Sequence, residues 1–203
     1  CAKVVLDDRA ADWHHGTNKK GHAMFQTFSD TVSPEQGPPR LAALRDAMAQ
    51  DGVDGFIIPR ADAHQGEYVA ERDSRLAWLT GFTGSAGFCV ALADKAGVFV
   101  DGRYRVQVRA QVADVYTPVD WPEVSLGTWI AEHVPSGGVV GFDPWLHTVA
   151  QMRELRSSAR DVTLRATTNL VDRIWEDQPP APVTAAFVQP VELAGATHGD
   201  KIT

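Results

Sequence analysis

Cysteine is nearly absent. Cys1 and Cys89 are the two in 203 residues, too few for a disulfide framework, and Cys89 sits in the apolar run Phe88 to Leu92, where a free thiol behaves as a small hydrophobe. A reducing cytoplasm fits that usage best. Long apolar runs are missing as well: no window approaches the roughly 18 apolar residues of a membrane-spanning helix. Nor is there a signal peptide with basic head, apolar core and small-residue cleavage site. Positive charge is in deficit, with 19 Lys and Arg against 26 Asp and Glu and a net charge of −7. Without a basic cluster, neither nucleic acid nor an anionic membrane surface is an expected partner. Chemistry-bearing patterns are scarce too. No pair of carboxylates, no His/Cys cluster and no nucleophile with a nearby base stands out as a mechanism. His64, His133 and His147 are scattered among helices and loops.

What is present is ordinary globular composition, 44% hydrophobic and 22% charged, and one densely signalled stretch from Arg75 to Arg109. Its centre is a glycine loop with Gly81, Gly84 and Gly87 around Ser85. Glycine permits positive φ and close approach of another segment. The loop leads into the strand-like run Phe88 to Leu92 rather than into a helix, which is the wrong order for a phosphate cradle. A hydrolase elbow, Gly-x-Ser-x-Gly, would need glycine where Thr83 stands. A tight connection that shapes a surface is the favoured reading.

In chain order, residues 1–23 have neither helical nor strand period and open on Cys1, so they are expected to be a disordered or artefactual extension, with Met24 as the start of the domain. His14, His15 and His22 lack the companions a metal site needs. Leu41, Leu44, Ala47 and Met48 recur at helical spacing up to a stop at Gly52, and Phe56 to Pro59 reads as a buried strand. The polar loop Arg60 to Tyr68 lies beyond that strand's end, where ligands gather in open α/β sheets; a solvated loop turned by Asp62 accounts for it equally. Leu76 to Leu79 fits a helical turn or a strand. Phe88 to Leu92 and Gly97 to Val100 are spaced as an antiparallel hairpin. Asp101 is expected to cap a helix from about Arg103 to Val112. Tyr116 to Val119 reads as an edge strand, Pro122 and Glu123 as the opening of a helix along Leu126, Trp129, Ile130 and His133, and Gly138 to Asp143 as another buried strand. A helix from about Thr148 to Ser158, a short strand Val162 to Leu164 and a short helix from Asn169 follow. Gln178 to Pro182 then breaks the pattern as a stiff linker. The expectation is an α/β fold, a mixed β-sheet flanked by helices on both faces, spanning 24–177, with 178–203 as Pro-rich linker and the start of a second domain, Gly199 to Lys201 forming the cap and first residues of its helix.

Several motifs taken together resemble the N-terminal domain of the long, three-domain Xaa-Pro aminopeptidases (aminopeptidase P). They are Asp62-Ala63-His64 with Glu67-Tyr68-Val69, Leu79 to Gly87, Asp101-Gly102-Arg103-Tyr104, Gly141 to His147, and Asn169 to Asp172 with Trp175 and Pro179-Pro180. The likeness runs in order and spacing from Met24 to the end. It implies a creatinase/prolidase-type, ribonuclease H-like domain of a cytosolic peptidase that removes an N-terminal residue preceding proline. In that family two divalent metal ions, usually manganese, are held by two Asp, one His and two Glu of a downstream catalytic domain. The resemblance therefore implies no catalytic and no metal residue in this chain, and inactivity of the piece alone. It further implies packing against the catalytic domain, control of substrate access and a share in a homodimer. By position His64, Glu67, Arg72 and Arg75 are expected to face the substrate cleft, Arg75 as a contact for a peptide carboxylate or backbone; a salt-bridged surface loop accounts for all four equally. The alternatives are a peptidase-like binding module without catalysis and, against the order of the glycine loop, a nucleotide-binding domain.

Overall fold

Four consecutive buried residues, Gly55 to Ile58, make β1 (Gly55–Pro59) a central strand covered on both sides. The computed structural model describes residues 33–202; the segment 1–23 and Met24 lie outside the described residues. Around β1 the chain builds a six-stranded sheet, with β2 (Phe88–Leu92), β3 (Ala96–Val100), β4 (Thr117–Asp120), β5 (Val139–Phe142) and β6 (Thr163–Ala166) in the order β4-β3-β2-β1-β5-β6. Pairing is antiparallel for β1 with β2 and for β2 with β3, and parallel elsewhere. The expected mixed sheet and the expected hairpin are therefore both present. Leu92 N donates to Lys95 O at 2.8 Å to close the hairpin turn.

Alternation along the strands divides the core. Phe56, Ile58, Cys89, Ala91, Val98 and Val100 point to one face, and Ile57, Val90, Leu92, Phe99 and Phe142 to the other. The first face is covered by α1 (Gly37–Asp51), α2 (Arg75–Thr80), α3 (Arg105–Gln111) and α6 (Leu170–Ile174); the second by α4 (Leu126–His133) and α5 (Val149–Ser158). α1 buries Leu41, Leu44 and Met48, each burial contributing about 1.5–3 kcal/mol. It ends at Gly52, whose φ of 62° is the left-handed conformation that lets its N–H reach back to Met48 O and Ala49 O.

Helix starts follow side-chain caps, and this corrects three expectations. α4 does not open at Pro122 and Glu123: the Ser125 hydroxyl accepts from Thr128 N, so the helix begins at Leu126. Asp101 does not cap α3, which begins at Arg105 with Tyr104 in the cap position and no side-chain cap bond. Near the C-terminus, residues 182–202 fall into a unit separate from 33–181. It carries α7 (Val191–Ala194) and α8 (His198–Ile202), and the second helix is opened by Thr197, whose hydroxyl accepts from Asp200 N, rather than by Gly199 and Asp200. By contrast α5 starts where expected, on a full capping box between Thr148 and Gln151.

Candidate functional site

Strand directions bring the polar loops to one end of the sheet. The segments after β1, β3, β4 and β5 and the segment before β2 all lie at that end, because β2 alone runs antiparallel to the others. Three of the motifs singled out in the sequence meet there: 60–70, 81–87 and 101–104.

The loop after β1 is shaped by Asp62. Its carboxylate accepts from His64 N at 2.9 Å and Gly66 N at 3.0 Å, and the Gly66 bond leads the causes that hold its pKa below the usual carboxylate value. That turn leaves His64, Glu67 and Tyr68 exposed. Arg72 is half-buried, and its carbonyl accepts from Gln178 Nε2 at 2.9 Å.

Arg75 points inward. It is 5% exposed, donating from Nε and Nη2 to the two oxygens of Asp172 at 2.6 and 3.0 Å and from Nη1 to Asp73 at 2.8 Å. Burial opposes its charge, yet Asp172 and Asp73 together hold its pKa above the ordinary arginine value. A guanidinium forked onto one carboxylate and bonded to a second has no free paired donors for a peptide. The structure thus brings His64, Glu67 and Arg72 to the loop cluster and makes Arg75 the tie between α2 and α6.

Two glycine features set the next loop. Gly81 ends α2 with φ of 87°, and Gly84 lies against the Phe82 ring so closely that a Cβ would sit 2.2 Å from Phe82 Cζ. Phe82, at 1% exposure, is the loop's anchor in the core. Gln111 of α3 accepts from Thr83 N at 3.0 Å and donates to Thr83 Oγ1 at 2.9 Å, pinning the outer side. Ser85 is left exposed, its Oγ 2.6 Å from Tyr104 Oη. This bond is the largest of the influences that lower the Tyr104 pKa. Asp101 accepts from Arg103 N at 2.9 Å and pairs with the Arg103 guanidinium at 2.7 Å, the leading cause of its lowered pKa. That turn carries the Arg103 guanidinium over the Tyr104 ring, 5.0 Å from its centroid.

Chemically, this cluster offers hydroxyls, an arginine and an exposed imidazole for contact. Ser85 has no imidazole or carboxylate hydrogen-bonded to it among the described residues, so a base to activate it is missing from the arrangement. Among the described residues no three of His, Cys, Asp and Glu are grouped to hold a metal ion. The donors here do not fit a dinuclear centre. No described helix is long and apolar enough to cross a membrane.

The scattered histidines hid one residue of interest. His147, just past β5, is half-buried, and its Nε2 is buried without a hydrogen-bond partner. Burial pushes its pKa down to about 4, against the opposing pull of Asp143. Asp143 is itself buried and fully used, accepting from Trp145 N at 2.9 Å and Asn169 Nδ2 at 3.0 Å. A polar Asp-Pro-Trp-Leu-His turn directly after a buried strand was the available signal.

Known proteins share this architecture. The creatinase/prolidase N-terminal domain family matches residues 40–174. Xaa-Pro aminopeptidase 2 of Rattus norvegicus is 41% identical over 175 residues, covering 81% of this chain and 25% of the relative. The X-prolyl aminopeptidase of Caenorhabditis elegans, a cytosolic enzyme with a di-nuclear active site, superposes with a TM-score of 0.72 at 28% identity over 82% of this chain and 30% of its own. The N-terminal domain of the cytoplasmic peptidase PepQ from Mycobacterium tuberculosis gives a TM-score of 0.53 at 25% identity, covering 67% of this chain and 98% of that domain. The chain thus spans about a quarter of the length of the rat relative. With two thirds of its residues inside the matched region and the sheet order of that fold in place, the chain belongs to the creatinase/prolidase N-terminal domain family.

Proposed function

We propose that this chain is the non-catalytic N-terminal domain of a metal-dependent Xaa-Pro aminopeptidase, a cytosolic, homodimeric hydrolase that releases the N-terminal residue preceding proline from peptides. The observation that carries the reading is the likeness to Xaa-Pro aminopeptidases, 41% over 175 residues, within a protein of which this chain spans 25%. In this reading the two divalent metal ions, manganese, and the peptide chemistry they support belong to residues outside this chain. No proton or bond transfer falls to the domain itself, and alone it is inactive.

Its role is to support the catalytic domain and to limit access to it. The sheet end described above favours that role. Tyr68, Val106 and Trp145 follow β1, β3 and β5 and are 90%, 84% and 76% exposed, which is an unusual share of apolar surface for one rim of a free-standing domain. His64, Glu67 and Arg72 lie in the loops of this rim and are proposed to face the peptide. Arg75 contributes by fixing the segment that carries Arg72.

The test is hydrolysis of an Xaa-Pro peptide with added manganese, run on this 203-residue chain and on the full-length product of its gene. Activity in the longer protein alone is the expected result. Activity in neither supports a peptidase-like binding module instead, and activity in the chain itself overturns the assignment of catalysis to residues outside it.

A further inference from the structure

Beyond the C-terminal ends of β1 and β5 the chain departs in opposite directions: β1 runs on to α2 on the first face, β5 to α5 on the second. Such a switch point opens a crevice in α/β sheets, and ligands collect there. Here the crevice is a cleft of about 220 Å³ on the second face. Its apolar wall includes Phe88 and Trp121, set edge to face with centroids 6.1 Å apart. Its polar side includes Gln151, Glu154 and His147, and neither lysine nor arginine lines it.

Two details distinguish this cleft from a packing defect. Voids left by imperfect packing are apolar, whereas this one is polar on one side. His147 Nε2 is buried without a partner, and an unsatisfied buried group in a native fold calls for something to satisfy it. His133, on the same face, shows the ordinary outcome: its Nδ1 lies 2.8 Å from Trp129 O. The charge pattern then narrows the ligand. Glu154 is the one carboxylate at the rim and no cation balances it. The imidazole, with its pKa pushed down to about 4, is neutral near pH 7. Size narrows it further, since clefts for drug-sized molecules run to about 300–1,000 Å³; this one has room for a single ring system.

We propose that the cleft binds a small flat aromatic ring bearing an alkylammonium group. The ring lies against Phe88 and Trp121, the ammonium beside Glu154, and a polar atom of the ring hydrogen-bonds to His147 Nε2.

The experiment titrates the 203-residue chain with three probes that share one ring and differ in charge, namely tryptamine, tryptophol and indole-3-acetate, followed by amide NMR shifts. Tryptamine is expected to bind tightest and indole-3-acetate weakest, with shifts centred on Trp121 and Gln151. Glu154→Gln, on the exposed side of α5, is expected to weaken tryptamine about threefold and leave tryptophol unchanged. His147→Ala is expected to weaken tryptamine and tryptophol about fivefold. Equal affinity for the three probes, shifts centred elsewhere, or tryptamine binding unchanged by Glu154→Gln overturns the proposal. No arm measures hydrolysis, so the outcome is independent of the peptidase reading.

Discussion

The two faces of the sheet bury apolar side chains equally well and treat polar ones differently. On the first, every polar group drawn inside meets a partner: Arg75 has Asp172 and Asp73, Tyr116 Oη donates to Leu79 O at 2.8 Å, and Thr80 Oγ1 donates to Leu76 O at 2.7 Å. On the second, His147 Nε2 goes without and a cleft stands open beside Trp121. A closed, satisfied layer is what stability alone selects. An open layer with an unmet imidazole keeps a cost that a purely structural role does not require, which places function on the second face and along the rim, and support on the first.

Variants of decreasing effect test that division. Phe56→Ala empties a fully buried site between α1 and the sheet and is expected to cost about 3–5 kcal/mol in urea unfolding; a loss below about 1 kcal/mol would mean the first layer is looser than its burial suggests. Arg75→Met strands two carboxylates, of which Asp172 keeps 31% side-chain exposure, so about 2–3 kcal/mol is expected, near the lower end for a broken buried pair. A neutral result would return Arg75 to the list of surface residues.

His147 makes a pH-dependent contribution of opposite character. Its folded pKa, about 4, lies below the ordinary 6.5, so the unfolded chain takes up the proton first as pH falls. The stability tied to the neutral ring is therefore complete above pH 6.5 and is lost between 6.5 and about 4. The expected size is about 2 kcal/mol, read as the difference between wild type and His147→Gln across a pH series of unfolding curves. Parallel curves would show that the ring is solvated and the second face closed in some other way. The smallest effect belongs to Thr148→Ala, which removes one half of the α5 capping box and is expected to lower stability by about 1 kcal/mol without altering probe binding in the cleft.

Elements with a repeating apolar signal were legible in the sequence. The spacing of Leu41, Leu44 and Met48, the paired runs on either side of Ala93 to Lys95, and the capping box at Thr148 each carry their own periodicity or cap. What could not be read was where polar residues end up. Arg75 looks like a surface arginine until α6 brings Asp172 to it from far along the chain. Asp101 shows why caps are ambiguous: a carboxylate accepting an amide two residues ahead serves a helix start and a free turn alike, and here it makes the turn with Arg103. His147 gave no sign of burial, because the residues that cover it come from three other elements.

The order of the strands also has a consequence for how the chain comes off the ribosome. β1 through β4 occupy neighbouring places in the sheet and emerge in succession, the hairpin of β2 and β3 first among the local pairings. The other flank of β1 waits for β5, where Gly55 finally meets Val140. For that interval a growing four-stranded half-sheet carries a flat apolar strand as its open border, a surface that other nascent chains can also pair with. Slowing translation between β4 and β5 prolongs that exposure, so synonymous changes there are expected to alter soluble yield while leaving the folded protein unchanged.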